Sequence, residues 1–228
     1  KQTPKLEGRV STYFIMKFFE RTPIWYDRAI RWITFGKMAD IRRSARSYFH
    51  PGQLVLDLGC GTGEWSLLAA SQGAHVKASD TSPLMLQRAY SKACAASYGK
   101  HIHFAEQSLM ELDNEPDKQY DVVITSLVLS ECRKDEQAYA LPHIARVLKP
   151  GGLWILVDEI TPQDGVLALC IRCFRNTVLF FLRWMGVAVT HPLRICPADL
   201  EKLGFRIKHW QRLNAGTFLF CVAQKEAQ

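Results

Sequence analysis

Residues 53–66 of this chain read Gln-Leu-Val-Leu-Asp-Leu-Gly-Cys-Gly-Thr-Gly-Glu-Trp-Ser, and no other stretch limits the fold so tightly. Leu54 to Leu58 is apolar apart from Asp57 and lacks a helical period, which predicts a buried parallel strand. Gly59, Gly61 and Gly63 then lead into a predicted helix over 64–70. A strand, a tight glycine turn and a helix N-terminus make a nucleotide-type cradle. Glycine reaches backbone angles closed to other residues and puts no Cβ between main chain and ligand.

Two common phosphate loops are excluded. No Gly-Lys-Ser/Thr ending is present, and the third glycine falls two residues after the second, which breaks the dinucleotide G-x-G-x-x-G fingerprint. Asp57, two residues ahead of Gly59, would repel a pyrophosphate and favour a cationic, amine-bearing ligand. The resulting D-x-G-x-G-x-G resembles the first motif of the class I S-adenosylmethionine (SAM) dependent methyltransferases. Its neighbours fit the same family. His75 to Ser79 reads as a second strand, and Asp80 ends it 17 residues after Gly63. An acid at that tip can accept hydrogen bonds from both ribose hydroxyls. Asp80, Ser82, Met85 and Leu86 match the family's D-x-S-x-x-M-L, with Ser82 able to cap the helix and Pro83 suited to its first turn. Leu148 to Gly152 matches L-K-P-G-G, and Gly204-Phe205 resembles the entry to a sixth strand.

The resemblance covers about residues 50–225. It implies an α/β, Rossmann-like sheet of seven strands, the seventh antiparallel, with N-terminal helices and a helical lid inserted between strands 5 and 6. It also implies SAM as methyl donor and S-adenosylhomocysteine as product. On that basis the chain divides into an N-terminal helical cap, 1–49, and a SAM-binding domain, 50–228, with the lid at 160–195. The cofactor-binding residues implied are Asp57, Gly59, Cys60, Gly61 and Gly63 in the loop, and Asp80, Thr81 and Met85 beside the ribose. Ser108 stands where relatives carry an adenine-binding aspartate, and the Leu109 amide is a further ring contact. Ser126 and Leu127 complete the set at the tip of the fourth strand, Tyr120 onward.

Composition sets the remaining bounds. A chain of 228 residues with 48% hydrophobic residues is expected to form one α/β domain with a generous core, or at most a domain plus a lid. Seven cysteines in no framework spacing, and no signal-peptide pattern, lead us to expect a cytoplasmic protein. The net charge of +7 suits acidic surfaces. Nucleic acid is a poor match, because no Asn-Pro-Pro-Tyr-like motif follows the fourth strand and basic residues are not interleaved with aromatics. His101 and His103 alternate on a third strand with no third ligand nearby, so no metal site is expected.

Helices are predicted over 12–20, 25–34 and 38–48. In related methyltransferases an N-terminal Tyr-Asp pair closes over the methionine end of SAM; Tyr26-Asp27 resembles that pair, and Tyr13 is a second aromatic on such a helix. Arg42, Arg43 and Arg46 read as a solvated basic helix or a docking patch for an acidic partner or membrane. Residues 166–189 are apolar but interrupted by Arg172, Arg175 and Arg183, which makes the segment amphipathic. It serves as a lid over the acceptor or as a peripheral membrane-surface helix.

Catalysis at a sulfonium needs chiefly an aligned attacking lone pair and little general base. Tyr26, Glu131 and Asp158 are the catalytic candidates, with Asp158 and Glu159 expected at the active-site edge. Three functions stay open. The first is methyl transfer to a small-molecule or corrinoid-linked acceptor. The N-terminal segment, Ser130-Glu131 and residues 157–162 look like those of corrinoid protein-associated methyltransferases, which would make a corrinoid protein the partner. The second is a lipid or quinone headgroup acceptor at a membrane, and the third is a non-catalytic SAM-binding sensor.

Overall fold

The computed structural model describes residues 27, 28, 31, 36–161, 191–213 and 216–227. The expected helix over 12–20, most of those expected over 25–34 and 160–195, and Tyr13 and Tyr26 lie outside the described residues, while 27, 28 and 31 are helical.

Helix α1, Lys37–Ala45, is followed by a 3-10 turn, Arg46–Tyr48, and by strand β1, Leu54–Leu58. After the glycine loop come α2, Glu64–Ser71, and β2, His75–Asp80. Helix α3, Pro83–Ala95, starts as the sequence predicts: Ser82 Oγ accepts from the Met85 amide and Pro83 occupies the first turn. Strand β3, Ile102–Glu106, leads into a 3-10 helix, Leu109–Asn114. Strand β4, Tyr120–Ser126, ends in a second, Leu129–Glu131, ahead of α4, Lys134–Val147. Then come β5, Leu148–Glu159; α5, Pro197–Lys202; β6, Phe205–Leu213; and β7, Phe218–Lys225.

The seven strands lie in the order β3-β2-β1-β4-β5-β7-β6. β1 to β5 are parallel, and β7 runs antiparallel to both β5 and β6. This is the Rossmann-like class I methyltransferase sheet. Chain order reverses between β1 and β4, so a crevice opens at their carboxyl ends. Both faces are covered, which explains the apolar runs in the central strands. Val55, Val122, Ile124, Ile155 and Val157 pack with Met38 and Ile41 of α1 and Trp65 of α2. On the other face Leu56, Leu58, Val123, Trp154 and Leu156 pack with Ile144 of α4 and Leu200 of α5.

Three details of the structure go beyond the sequence. The Lys149–Gly152 turn is absorbed into the long β5, whose first residue, Leu148, already pairs with Tyr120 across a register shift. Residues 37–49, the described end of the expected cap, share the core of the sheet domain: Ala45 and Phe49 are buried with Val55 and Val76. The ends of the insertion are drawn together, since Ile160 bridges Leu193 and the amides of Leu193 and Thr161 donate to the carbonyls of Glu159 and Leu193.

Candidate active site

The glycine loop is shaped by contacts that tolerate no side chain. Gly59 has φ +64°, and a Cβ there would lie 2.5 Å from Val128 Cγ2. Gly63 has φ +80° and would meet Ala89 Cβ at 2.8 Å. The loop is thereby wedged between the β4 tip and α3, with both glycines in the left-handed region.

Beneath it Asp57 is 1% exposed and accepts a 2.5 Å hydrogen bond from Ser66 Oγ. Burial raises its pKa to about 7 against that hydrogen bond, with Asp80 adding repulsion. Asp57 supports the loop from below and is not part of the cavity wall. Asp80 accepts from the amides of Gly61 at 2.8 Å and Ser82 at 2.9 Å, so it ties β2 to the loop, and burial raises its pKa. Thr81 is exposed and Met85 buried at the start of α3. Cys60 is buried, and burial, with Asp57 and Asp80 close by, pushes its thiol well above the usual range.

A cavity of about 580 Å³ opens at this crevice, within the usual size for small-molecule sites. Gly59, Cys60, Gly61 and Thr62 form one wall, Ser126 and Leu127 the β4 side, and Met38, Arg42 and Arg43 of α1 the roof. Trp65 completes it, and its buried indole Nε1 has no partner among the described residues. An unpaired buried donor beside a cavity is costly unless a ligand acceptor meets it. Bare glycine backbone, that donor and the cavity size fit SAM. Leu127 has φ +60°, a strained angle for a large side chain.

Asp27 enters from the N-terminal side. Thr62 Oγ1 donates to it at 2.6 Å and Lys92 Nζ at 2.7 Å. The Arg42 guanidinium, expected to be solvated, instead lies 3.5 Å from Glu64. Sequence reasoning did not find Thr62, Trp65, Lys92 or Arg42 as site residues. Thr62 and Trp65 sit inside the motif stretch and were legible by position, whereas Lys92 carries no local signal.

Other expected residues do not line this cavity. Ser108 caps the 3-10 helix, accepting from the Met110 amide, while Glu111 accepts from the Ser108 amide. Its hydroxyl thus already accepts one local bond, and neither Ser108 nor Leu109 is on the cavity wall. Asp158 does not reach an acceptor at the active-site edge. It is fully buried and accepts from the amides of Leu129, Ser130 and Glu159, with burial raising its pKa to about 6. It is a positioning carboxylate for the loop after β4. Glu131 is exposed on the 3-10 helix that this carboxylate holds. Gln137 Nε2 donates to the carbonyls of Leu129, Cys132 and His191, joining that loop to the end of the insertion. Among the described residues no group of His, Cys, Asp or Glu could hold a metal, and no helix is long and apolar enough to cross a membrane.

Known proteins resemble this arrangement. A methyltransferase-domain family model matches residues 55–152. The chain is 32% identical over 182 residues to the demethylmenaquinone methyltransferase of Thermus thermophilus, covering 77% of this chain and 80% of that protein. An uncharacterized methyltransferase of Synechocystis is 37% identical over 114 residues, an alignment that spans half of each chain. The fold is shared with the magnesium protoporphyrin IX methyltransferase of Synechocystis, solved with bound S-adenosylhomocysteine: TM-score 0.68, 22% identity, 94% of this chain and 99% of that one. Motif, sheet order, cavity and relatives agree, and the chain belongs to the class I SAM-dependent methyltransferases.

Proposed function

We propose that this methyltransferase acts on a small aromatic acceptor of the quinol class. What supports the reading is the likeness to a demethylmenaquinone methyltransferase over about four-fifths of both chains. SAM, when bound, supplies an electrophilic methyl group on a sulfonium. The chain's own residues do the rest. Gly59 and Gly61 would hold the donor, with Asp80 fixing the loop from behind, while Met38, Trp65 and Leu127 give an apolar wall that excludes water. Asp158 fixes the loop that carries Glu131. For the ring carbon to take the methyl group, the quinol hydroxyl would give its proton to a base, and the C–H proton of the methylated carbon would then leave to restore the aromatic ring; we assign Glu131 to the first transfer.

The test offers the protein and isotopically labelled SAM a chemically reduced demethylnaphthoquinol, and separately cob(I)alamin. Label in the quinol, lowered at least tenfold in kcat by Glu131→Gln, is the expected result. Label on cobalt alone would overturn the assignment in favour of a corrinoid acceptor, and label on neither would overturn both acceptors.

A further inference from the structure

Lys92 lies one element away from the cavity and does not line it. Its ammonium stands 2.7 Å from Asp27 Oδ2 and 2.8 Å from Glu64 Oε1, with its side chain only 17% exposed. Both carboxylates belong to cavity-lining residues. Asp27 also accepts from Thr62 Oγ1, inside the glycine loop, and Glu64 lies 3.5 Å from Arg42 of α1. A single cation on α3 therefore joins the N-terminal segment, the glycine loop and the first turn of α2, which in turn meets α1.

We propose that Lys92 is a positioning residue for cofactor binding, a latch that holds Asp27 against the glycine loop. Exposed ion pairs contribute little, but here the ammonium itself is mostly enclosed and is shared between a half-buried Asp27 and a more exposed Glu64. Without the ammonium, Asp27 and Glu64 would face each other as like charges across the space it leaves, and Asp27 would be driven off Thr62. The wall of the cavity would open where the cofactor is held, although nothing that touches the cofactor had been altered. The inference concerns the SAM site alone and holds whatever the acceptor is.

Calorimetric titration with S-adenosylhomocysteine tests it on the full chain, with melting temperature recorded in parallel. Lys92→Met is expected to raise Kd about tenfold, and Lys92→Arg, which can still bridge two carboxylates, to stay within about threefold of wild type. Asp27→Asn should weaken binding alone, yet add little in the Lys92→Met background, because both changes break one latch. A lowered melting temperature with unchanged Kd in Lys92→Met would overturn the proposal and leave Lys92 a structural ion pair. Full additivity of the two variants would also overturn it, since the residues would then act separately.

Discussion

Asp57, 1% exposed and bonded to Ser66, gives the site its clearest pH dependence. Its place in the motif predicts a carboxylate for a cationic ligand, and the structure sets that carboxylate under the loop with its pKa raised from 3.8 to about 7. A raised folded pKa means that the folded state holds the proton more tightly than the unfolded chain. Its contribution to stability is therefore fully present below about pH 4 and is lost as pH rises through 7. A cationic ligand above it favours the ionised form, so binding releases a proton and tightens with pH. We expect SAM affinity to rise between pH 6 and 8, more than that of S-adenosylhomocysteine, which lacks the sulfonium charge. Asp57→Asn should flatten the difference, as calorimetry over that range would read. Gly59 makes a separate prediction. Gly59→Ala places a Cβ against Val128 at a left-handed φ, for about 2–3 kcal/mol of destabilisation and loss of cofactor binding. Adding Val128→Ala should recover part of the melting temperature, because it relieves the contact but not the backbone angle.

The loops between elements carry the site, and two staples hold them, one buried and one half-buried. Asp158 gathers three backbone amides at the turn from β4 into the 3-10 helix Leu129–Glu131. Asp158→Asn presents an N–H2 to those donors and should cost about 2 kcal/mol, with a fall of several degrees in melting temperature. Turnover should drop further than cofactor affinity, since Glu131 rides on that loop. Arg146 of α4 is the other staple. It donates to the carbonyls of Leu112 at 2.6 Å and Glu115 at 2.8 Å, and it pairs with Asp117. This pins the 3-10 helix whose N-cap is Ser108. Arg146→Met should therefore cost about 2–4 kcal/mol and leave S-adenosylhomocysteine affinity within about twofold, while Arg146→Lys keeps the charge but not both carbonyl bonds. Denaturant melts and calorimetry on the two variants check this.

For the whole molecule, the cofactor is expected to act as a clamp. The cavity is bounded by α1, the glycine loop and the β4 tip, elements that come from three separate stretches of chain. A ligand that binds only this folded assembly stabilises it by about 2.7 kcal/mol at a hundred times Kd. For a domain of this size that is a rise in melting temperature of about 5–10 °C, readable by differential scanning fluorimetry. Salt should diminish the rise if the Arg42–Glu64 and Lys92 contacts hold the assembly together, because partly exposed charges are screened.

Much of this was legible in the chain. The glycine spacing, Asp57, Asp80 and the Ser82-Pro83 helix start are local signals, because a left-handed turn, a cap and a strand tip are each specified within a few neighbouring residues. The apolar runs of β1 and β4 announced a sheet covered on both faces. Three facts were decided only in three dimensions. Asp158 looked like an active-site carboxylate because it ends a strand, yet the turn after β4 folds back over it and takes both its oxygens. Ser108 stood at the adenine position, and its hydroxyl was claimed by the helix it caps. Lys92 looked like any surface lysine until residues 27 and 64, 65 and 28 positions away, were brought to its ammonium. Short-range backbone chemistry is written in sequence order, whereas the pairing of charges across elements depends on which strands and helices the fold sets side by side.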